Sequence, residues 1–142
     1  MKIYLASPFF NDNENLFVFL AECILRDRGF GVFSPRENEV REGAEVGTPT
    51  WAYETFNRDV EAIDNCDAVV MLYHGNYSDS GTAWECGYAF ATNKPVIAVH
   101  IWEEEISNLM VHCSALANIT IEELETYDFE NMPEKIYTGA MT

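Results

Sequence analysis

Along the chain, short solid apolar runs alternate with longer stretches whose apolar residues recur at helical spacing. Lys2 to Ala6 is a run of β-formers closed by Ser7-Pro8, which predicts a first strand. From Asn13 to Arg28, the residues Leu16, Phe19, Leu20, Cys23 and Ile24 predict the buried face of an amphipathic helix, with Gly29 at the expected left-handed C-terminal position. Phe30 to Phe33 reads as a second strand, and Ser34 to Gly47 as a polar loop long enough to suggest function. Thr48-Pro49 is an N-cap followed by proline at the first helical position, opening a helix to about Asn65 with Phe56, Val60 and Ile63 inward. Ala68 to Tyr73 (AVVMLY) is apolar on both faces, as a central parallel strand requires. His74 to Ser80 then predicts a turn-rich loop, Gly81 to about Thr92 a helix, Asn93-Lys94-Pro95 its stop, and Val96 to Ile101 a fourth strand. Ser107 to Ala115 predicts a short helix, Thr120 to Glu123 resembles a capping box, and the residues after Pro133 look irregular.

Alternating strands and helices with apolar strands predict an α/β three-layer sandwich with a mostly parallel sheet, built as a single domain over residues 1–142. Ligands of such sheets bind beyond the carboxyl ends of the strands, where the strand order reverses. The loops Ser7 to Asn11, Ser34 to Gly47 and His74 to Gly81 are expected to meet there. No internal repeat, low-complexity tract or linker interrupts the chain.

Composition narrows the partners. With 48% hydrophobic residues over 142, the chain can build a packed core. Eight Lys and Arg against 24 Asp and Glu leave a formal charge of −16, a field that repels phosphate backbones and anionic lipid, so no nucleic acid and no membrane partner is expected. No apolar run approaches the ~18 residues of a membrane span, and polar Ser7 comes too early for a signal segment. A cytoplasmic protein is expected. Cys23, Cys66, Cys86 and Cys113 lie far apart in apolar surroundings without a CxxC pair, which predicts reduced, buried thiols.

Several chemistries lack their residues. There is no GxGxxG after the first strand, no GxxxxGK[ST] and no GxSxG elbow, and His74, His100 and His112 have no metal-ligand spacing. No metal and no cofactor is expected. What remains is an acidic constellation in Tyr77 to Tyr88 (YSDSGTAWECGY), where Asp79 precedes a predicted helix and Glu85 follows inside it. The positive end of the helix is expected to keep Glu85 ionised and nucleophilic, and Gly81, at i−4, to leave open space beside it. A plainer reading stands next to this one: Asp before a helix is most often an N-cap, Glu near its start a dipole-complementing surface residue, and the glycines turn elements. Asp59 borders the apolar face of its helix, as a rim residue or as an acid aimed inward. Tyr4 in an apolar strand needs a partner for its hydroxyl if buried. Phe9, Phe10 and Trp51 fit core packing, and the first two also fit the flank of a planar ring.

The sequence resembles the nucleoside 2-deoxyribosyltransferase family in Lys2 to Phe10 (KIYLASPFF), Phe33 to Glu39 (FSPRENE), Phe56 to Asp59 (FNRD), Asp79 to Ala89 (DSGTAWECGYA) and Asn108 to Met110 (NLM), in the family's order across nearly the whole chain. That resemblance implies a flavodoxin-like or Rossmann-like fold and exchange of the base on a 2′-deoxynucleoside without a cofactor, the partners being small-molecule deoxynucleosides and free nucleobases. It places the nucleophile at Glu85 and the tyrosine that orients it at Tyr4. Asp79 and Asp59 match the aspartates credited with contacting sugar or base and protonating the leaving base. Ser7 and Gly81 fall within matching segments as substrate contacts, and Phe10 and Trp51 match aromatics of the base pocket. Glu39 stands where the relatives compared carry Gln, a departure expected to alter base preference. Asn108 and Met110 match residues supplied by a neighbouring subunit, the asparagine reaching the sugar 5′-hydroxyl, so a homo-oligomer, hexamer or dimer, is implied. Some members end in an aromatic residue near the C-terminal carboxylate, whereas this sequence ends Gly139-Ala140-Met141-Thr142.

Two other readings compete. A related α/β fold hydrolyses deoxynucleoside 5′-monophosphates with a similar glutamate, using a Gly/Ser/Arg-rich phosphate loop after the first strand where this chain has Ser7-Pro8-Phe9-Phe10. A non-catalytic nucleoside sensor would use the same pocket only for binding.

Overall fold

The computed structural model of the chain describes residues 1–40, 43–75, 79–103 and 106–142. Its frame is a five-stranded sheet: β1 (Lys2–Ala6), β2 (Gly31–Phe33), β3 (Ala68–Tyr73), β4 (Val96–His100) and β5 (Ala117–Thr120), all parallel in the order β2-β1-β3-β4-β5. This is the flavodoxin-like order, whose switch point lies between β1 and β3. Helices α1 (Asp12–Asp27), α2 (Pro49–Asp64), α3 (Ser80–Ala91) and α4 (Leu109–Ser114) follow β1, β2, β3 and β4.

Strand alternation divides the core into two halves. Ile3 and Leu5 of β1 join Val70, Leu72, Ile97 and Val99 on the side covered by α1 through Val18, Ala21 and Leu25. Tyr4 and Ala6 point to the other side, with Val69, Met71 and Tyr73, where Ile63 of α2 and Cys86 and Ala89 of α3 cover them. Every residue of β3 is buried, as expected of a strand with parallel neighbours on both edges. The helices start where their capping residues dictate: Asn11 accepts from the Glu14 amide, Thr48 from Trp51, and Asp79 from Thr82.

Four expectations change. The inward face of α1 is Val18, Ala21, Glu22 and Leu25, whereas Leu16, Phe19 and Leu20 are exposed, Leu16 to 60%. Glu22 can lie inside because the Arg36 guanidinium, from a single 3-10 turn at Pro35–Glu37, pairs with it. Phe56 is not core but half exposed, at the edge of a cavity described below. A fifth strand, β5, follows α4 where none is expected. Among the cysteines, Cys66 and Cys86 are buried, but Cys113 is exposed and Cys23 only half-buried.

The reciprocal box expected at Thr120 and Glu123 is present, each backbone amide bonded to the other's side chain at 2.9 and 3.3 Å. The segment after Pro133 makes isolated parallel bridges, Lys135 with Ala117 of β5 and Met141 with Ser107. Beneath it, Ser107, His112 and Asn118 form a buried polar chain that starts at the Tyr73 hydroxyl, with the Asn118 carboxamide oxygen 2.9 Å from His112 Nδ1. Burial holds the His112 imidazole down to about 4, so it is neutral. Among the described residues, no helix is long and apolar enough to cross a membrane.

Replacing Arg36 with alanine leaves the Glu22 carboxylate, 1% exposed, without its counter-charge. The expected cost is about 2–3 kcal/mol, below the full penalty for a deeply buried pair because Arg36 is itself partly solvated. Urea unfolding should show a lower midpoint at an unchanged slope, and a shift under about 0.5 kcal/mol would contradict it.

Candidate active site

The carboxyl ends of β2, β1 and β3 adjoin at one end of the sheet, which brings the loops after them together as the topology requires. Tyr4 lies in the middle strand of these three, opposite Phe33 on one side and Val69 on the other, and stacks on the Phe33 ring at 5.6 Å. It is fully buried, so its hydroxyl needs a partner. It finds one across 81 positions of sequence: Tyr4 Oη donates to Glu85 Oε1 at 2.8 Å.

Glu85 comes from the second turn of α3, and Asp59 from α2. Together with Gly81, Phe56, Val60 and Trp84 they line a cavity of about 300 Å³. The space beside Gly81, expected to be open, is taken on one side by Asp79, whose Oδ2 would stand 2.9 Å from a Cβ there. The Asp79 carboxylate accepts from both the amide (2.9 Å) and the hydroxyl (3.2 Å) of Thr82. The plainer reading of Asp79 as an N-cap therefore holds, although its charge still reaches Glu85.

Burial, not the helix end, sets the protonation of Glu85. It is the sixth residue of α3, beyond the first turn in which the dipole acts strongly. Desolvation pushes its carboxyl up to about 8, against the opposing pull of the Tyr4 hydrogen bond and with added repulsion from Asp59 and Asp79. This overturns the expectation that the dipole keeps Glu85 ionised at neutral pH. Burial likewise raises Asp59 to about 6, offset slightly by Arg58. The Tyr4 phenol is raised by burial and by the neighbouring carboxyls, so it remains a neutral donor. Between about pH 6 and 8 the two acids together hold one proton, which rests mainly on Glu85.

The structure therefore brings Tyr4, Asp59, Glu85 and Gly81 together, with Asp79 capping the same helix. The other sequence-derived candidates do not line this cavity. Ser7 is buried with its hydroxyl donated to the Pro8 carbonyl at 2.8 Å, Phe10 is 74% exposed, and Glu39 is exposed on the loop after β2. Trp51 is half-buried, its indole N–H without a hydrogen-bond partner among the described residues. Asn108 caps α4 by accepting from the Met110 and Val111 amides, and Met110 is 74% exposed. Tyr77 and Ser78 lie outside the described residues. Sequence reasoning missed Phe56 and Trp84 as cavity residues; their signal was adjacency, Trp84 preceding Glu85 directly and Phe56 lying one turn before Asp59.

A larger cavity of about 450 Å³ lies at the ends of β4 and β5, beside His100, Trp102, Asn118 and Tyr137. It contains none of the candidate acids, and Lys135 and Asn118 on its wall are engaged internally, with Glu123 and His112. No group of three or more His, Cys, Asp or Glu among the described residues could hold a metal.

Comparison with known proteins finds relatives over most of the chain. The family model described as Nucleoside 2-deoxyribosyltransferase matches residues 3–129. A solved 2-deoxyribosyltransferase from Bacillus psychrosaccharolyticus superposes with a TM-score of 0.91 at 42% identity, over 97% of this chain and 100% of that one. A nucleoside deoxyribosyltransferase from Lactobacillus johnsonii is 34% identical over 94 residues, which span 64% of this chain and 62% of the relative. A protein from Thermofilum pendens, named as a candidate 2′-deoxynucleoside 5′-phosphate N-hydrolase, is 29% identical over 96% of this chain and 90% of its own length.

The raised carboxyl of Glu85 makes a stability prediction. An unfolded glutamate titrates near ~4.3, so the folded state holds this proton more tightly, and stability falls as pH rises from about 4 through about 8. Glu85→Gln removes that loss. The variant should match the wild type near pH 4 and exceed it by on the order of 2 kcal/mol at pH 9. Thermal melts across that range read the difference directly, and equal melting at pH 9 would contradict the burial of this carboxyl.

Proposed function

The chain belongs to the nucleoside 2-deoxyribosyltransferase family of enzymes, and we propose that, as one domain over residues 1–142, it exchanges the base of 2′-deoxynucleosides through a covalent intermediate on Glu85. The observation that carries this reading is the 2.8 Å hydrogen bond from the buried Tyr4 hydroxyl to Glu85, in a cavity that also holds Asp59.

Breaking an N-glycosidic bond builds oxocarbenium character on the sugar, which a carboxylate beneath the anomeric carbon stabilises and then captures. In the first half-reaction a Glu85 oxygen bonds to C1′ as the C1′–N bond breaks. The bonding electrons leave with the base, and the base takes a proton from Asp59. In the second half-reaction a nitrogen of the incoming base attacks C1′ from the face the first base left. The ester to Glu85 breaks, and the proton of the incoming base returns to Asp59. Two inversions give net retention of the β configuration. Tyr4 donates to the oxygen it already holds and keeps the other aimed at the sugar. The chemistry needs one proton on the pair of acids, placed on Asp59 while Glu85 is ionised, which is the minor arrangement of the same singly protonated state.

Asn108 and Met110 suit completion of a neighbouring subunit's site in a homo-oligomer, since both stand exposed at the start of α4. Ser7, Phe10, Glu39 and Trp51 belong to the outer part of the substrate site in this reading. A salvage role in the cytoplasm is consistent with reversible base exchange. The Thermofilum relative favours a second reading, hydrolysis of deoxynucleoside 5′-phosphates, but Ser7-Pro8-Phe9-Phe10 supplies no glycine-rich or arginine-bearing phosphate loop after β1.

Incubation of purified protein with 2′-deoxyuridine and adenine should yield 2′-deoxyadenosine and an equal amount of uracil, with little free sugar. Uracil released without new nucleoside would make the protein a hydrolase. Glu85→Ala should lose turnover by several orders of magnitude, whereas a binding protein would keep its affinity.

The pH dependence of kcat/KM should be a bell with limbs near pH 6 and 8, set by the two raised carboxyls. Asp59→Asn should lower the rate by about 10²–10⁴ and remove the alkaline limb, because no acid remains to be lost above pH 8. An alkaline limb that survives in Asp59→Asn would move the general-acid role to Asp79.

A further inference from the structure

Among the described residues, four buried side-chain polar atoms have no hydrogen-bond partner: Ser34 Oγ, Trp51 Nε1, Thr55 Oγ1 and His74 Nε2. Other buried polar side chains are paired, Glu22 with Arg36 and His112 with Asn118. The four unpartnered atoms are not scattered. Ser34 follows β2, His74 follows β3, and Trp51 and Thr55 lie in the first two turns of α2, so all four gather at the carboxyl end of the sheet beside its switch point. An unpaired buried polar atom costs stability, and its retention calls for a use.

Thr55 has the most telling position. Trp51, Thr55, Asp59 and Ile63 recur every fourth residue and form one stripe along α2. Ile63 carries that stripe into the core beside Tyr4, and Asp59 lines the cavity of Glu85. Because α2 follows β2 and starts at the carboxyl end of the sheet, Thr55 stands one turn nearer the mouth than Asp59, about 6 Å along the helix axis. A helical threonine commonly turns its hydroxyl back onto the preceding turn, as Thr92 does at the end of α3 with the carbonyls of Tyr88 and Ala89. Thr55 makes no such bond, and the Trp51 indole N–H, one turn beyond it, is a second unpaired donor on the same stripe.

We propose that the Thr55 hydroxyl is a hydrogen-bonding contact for the transferred base, reading the exocyclic amino or oxo group on the edge away from the glycosidic nitrogen. This inference deepens the base-exchange reading and rests on it. The base exchanges its proton at Asp59 while its glycosidic nitrogen is held at the sugar over Glu85. The rest of the ring system then extends along α2 toward the mouth, where Thr55 is the next side chain on the stripe. Exocyclic groups lie on that edge in both purines and pyrimidines. A hydroxyl donates and accepts, so it serves an amino group and an oxo group alike. Threonine divides between two χ1 rotamers in a helix, so the hydroxyl can turn to an incoming partner without moving the backbone. The contact accounts for an unpaired hydroxyl at a position where valine, of nearly the same shape, would leave no polar atom unsatisfied.

The test fixes 2′-deoxyuridine as saturating donor and compares adenine with purine, the same ring system without the exocyclic amino group, as acceptors. In a two-step exchange the acceptor kcat/KM reports only the steps from base binding onward. Thr55→Val should lower the adenine value about tenfold, as for one lost hydrogen bond, mainly through KM, and the purine value by less than about twofold. Thr55→Ser, which keeps the hydroxyl, should stay within about threefold of the wild type for adenine. Thr55→Val should also raise the urea midpoint at an unchanged slope, because it removes an unpaired polar atom from the folded state. An adenine-to-purine ratio unchanged from the wild type would overturn the contact. A lower urea midpoint, or a valine variant that does not fold, would place the hydroxyl in the fold and overturn it too. Equilibrium dialysis of adenine and of purine against the wild type and Thr55→Val reads the contact without turnover: adenine affinity should fall in the variant while purine affinity holds, and equal changes would refute the contact. Adenine binding that depends on Thr55 in a wild type that never forms new nucleoside would refute base exchange while leaving the contact standing.

Discussion

The structure turns on one hydrogen bond between a buried phenol and a buried carboxyl. Tyr4 sits in the second strand from one edge of a five-stranded sheet, with strands on both sides and no solvent path, and its hydroxyl can be satisfied only by something that approaches from the helix layer. Glu85, delivered by α3, is that partner. The bond holds Oε1 of a carboxyl that also lines the cavity, an anchoring that a surface glutamate would lack. It also fixes the register of α3 over β1, so the placement of Gly81 and Trp84 along the cavity follows from the same contact.

The cost of that arrangement appears as proton affinity. Two carboxyls raised by desolvation, one toward 6 and one toward 8, are held where each would be more stable protonated. An ordinary surface pair of acids would titrate together below pH 5 and could not divide acid from nucleophile near neutrality. Here the environment separates them but leaves the proton mainly on Glu85, so the proposed roles, Asp59 as acid and Glu85 as nucleophile, draw on the minor placement of that proton. The helix end contributes less than its position in sequence suggests, because Glu85 lies beyond the first turn and Asp79 already consumes the exposed amide of Thr82.

Much of this was legible in the sequence, and the failures have physical causes. The first four strands and four helices follow from apolar runs and capping residues such as Asn11, Thr48 and Asp79, which act locally. β5 was not legible because its tetrapeptide Ala117–Thr120 carries Asn118, whose side chain is occupied by the His112 network and not by solvent. The inward face of α1 was misread because Leu16 to Leu20 is apolar without a break, so helical spacing fits more than one face. The true face includes Glu22, which no local pattern places inside because the Arg36 that neutralises it stands fourteen residues away. At the site, Tyr4, Asp59, Glu85 and Gly81 could be named from the sequence, but the aromatic lining could not. Whether Phe56 and Trp84 are core or cavity depends on how α2 and α3 lie against each other, and no local pattern encodes that.

The acidic balance of the chain acquires a specific meaning beside this site. A formal charge of −16 surrounds a cavity whose own two acids are already pushed toward neutrality, and the basic side chains nearest the expected ligand loops are engaged elsewhere, Arg36 with Glu22 and Arg58 with the Asn38 carbonyl. A phosphorylated ligand would bring two more negative charges to a place with no guanidinium or helix end described as open to receive them, since the α3 N-terminus is capped by Asp79. A neutral nucleoside meets no such penalty and gains from apolar and aromatic walls. In the proposed reading, charge therefore discriminates against a phosphorylated ligand where the shape of the parallel sheet would not. What separates the two chemistries is the short segment after β1, and in this chain it is Ser7-Pro8-Phe9-Phe10, with Phe9 stacked on Phe10 and no cation among them.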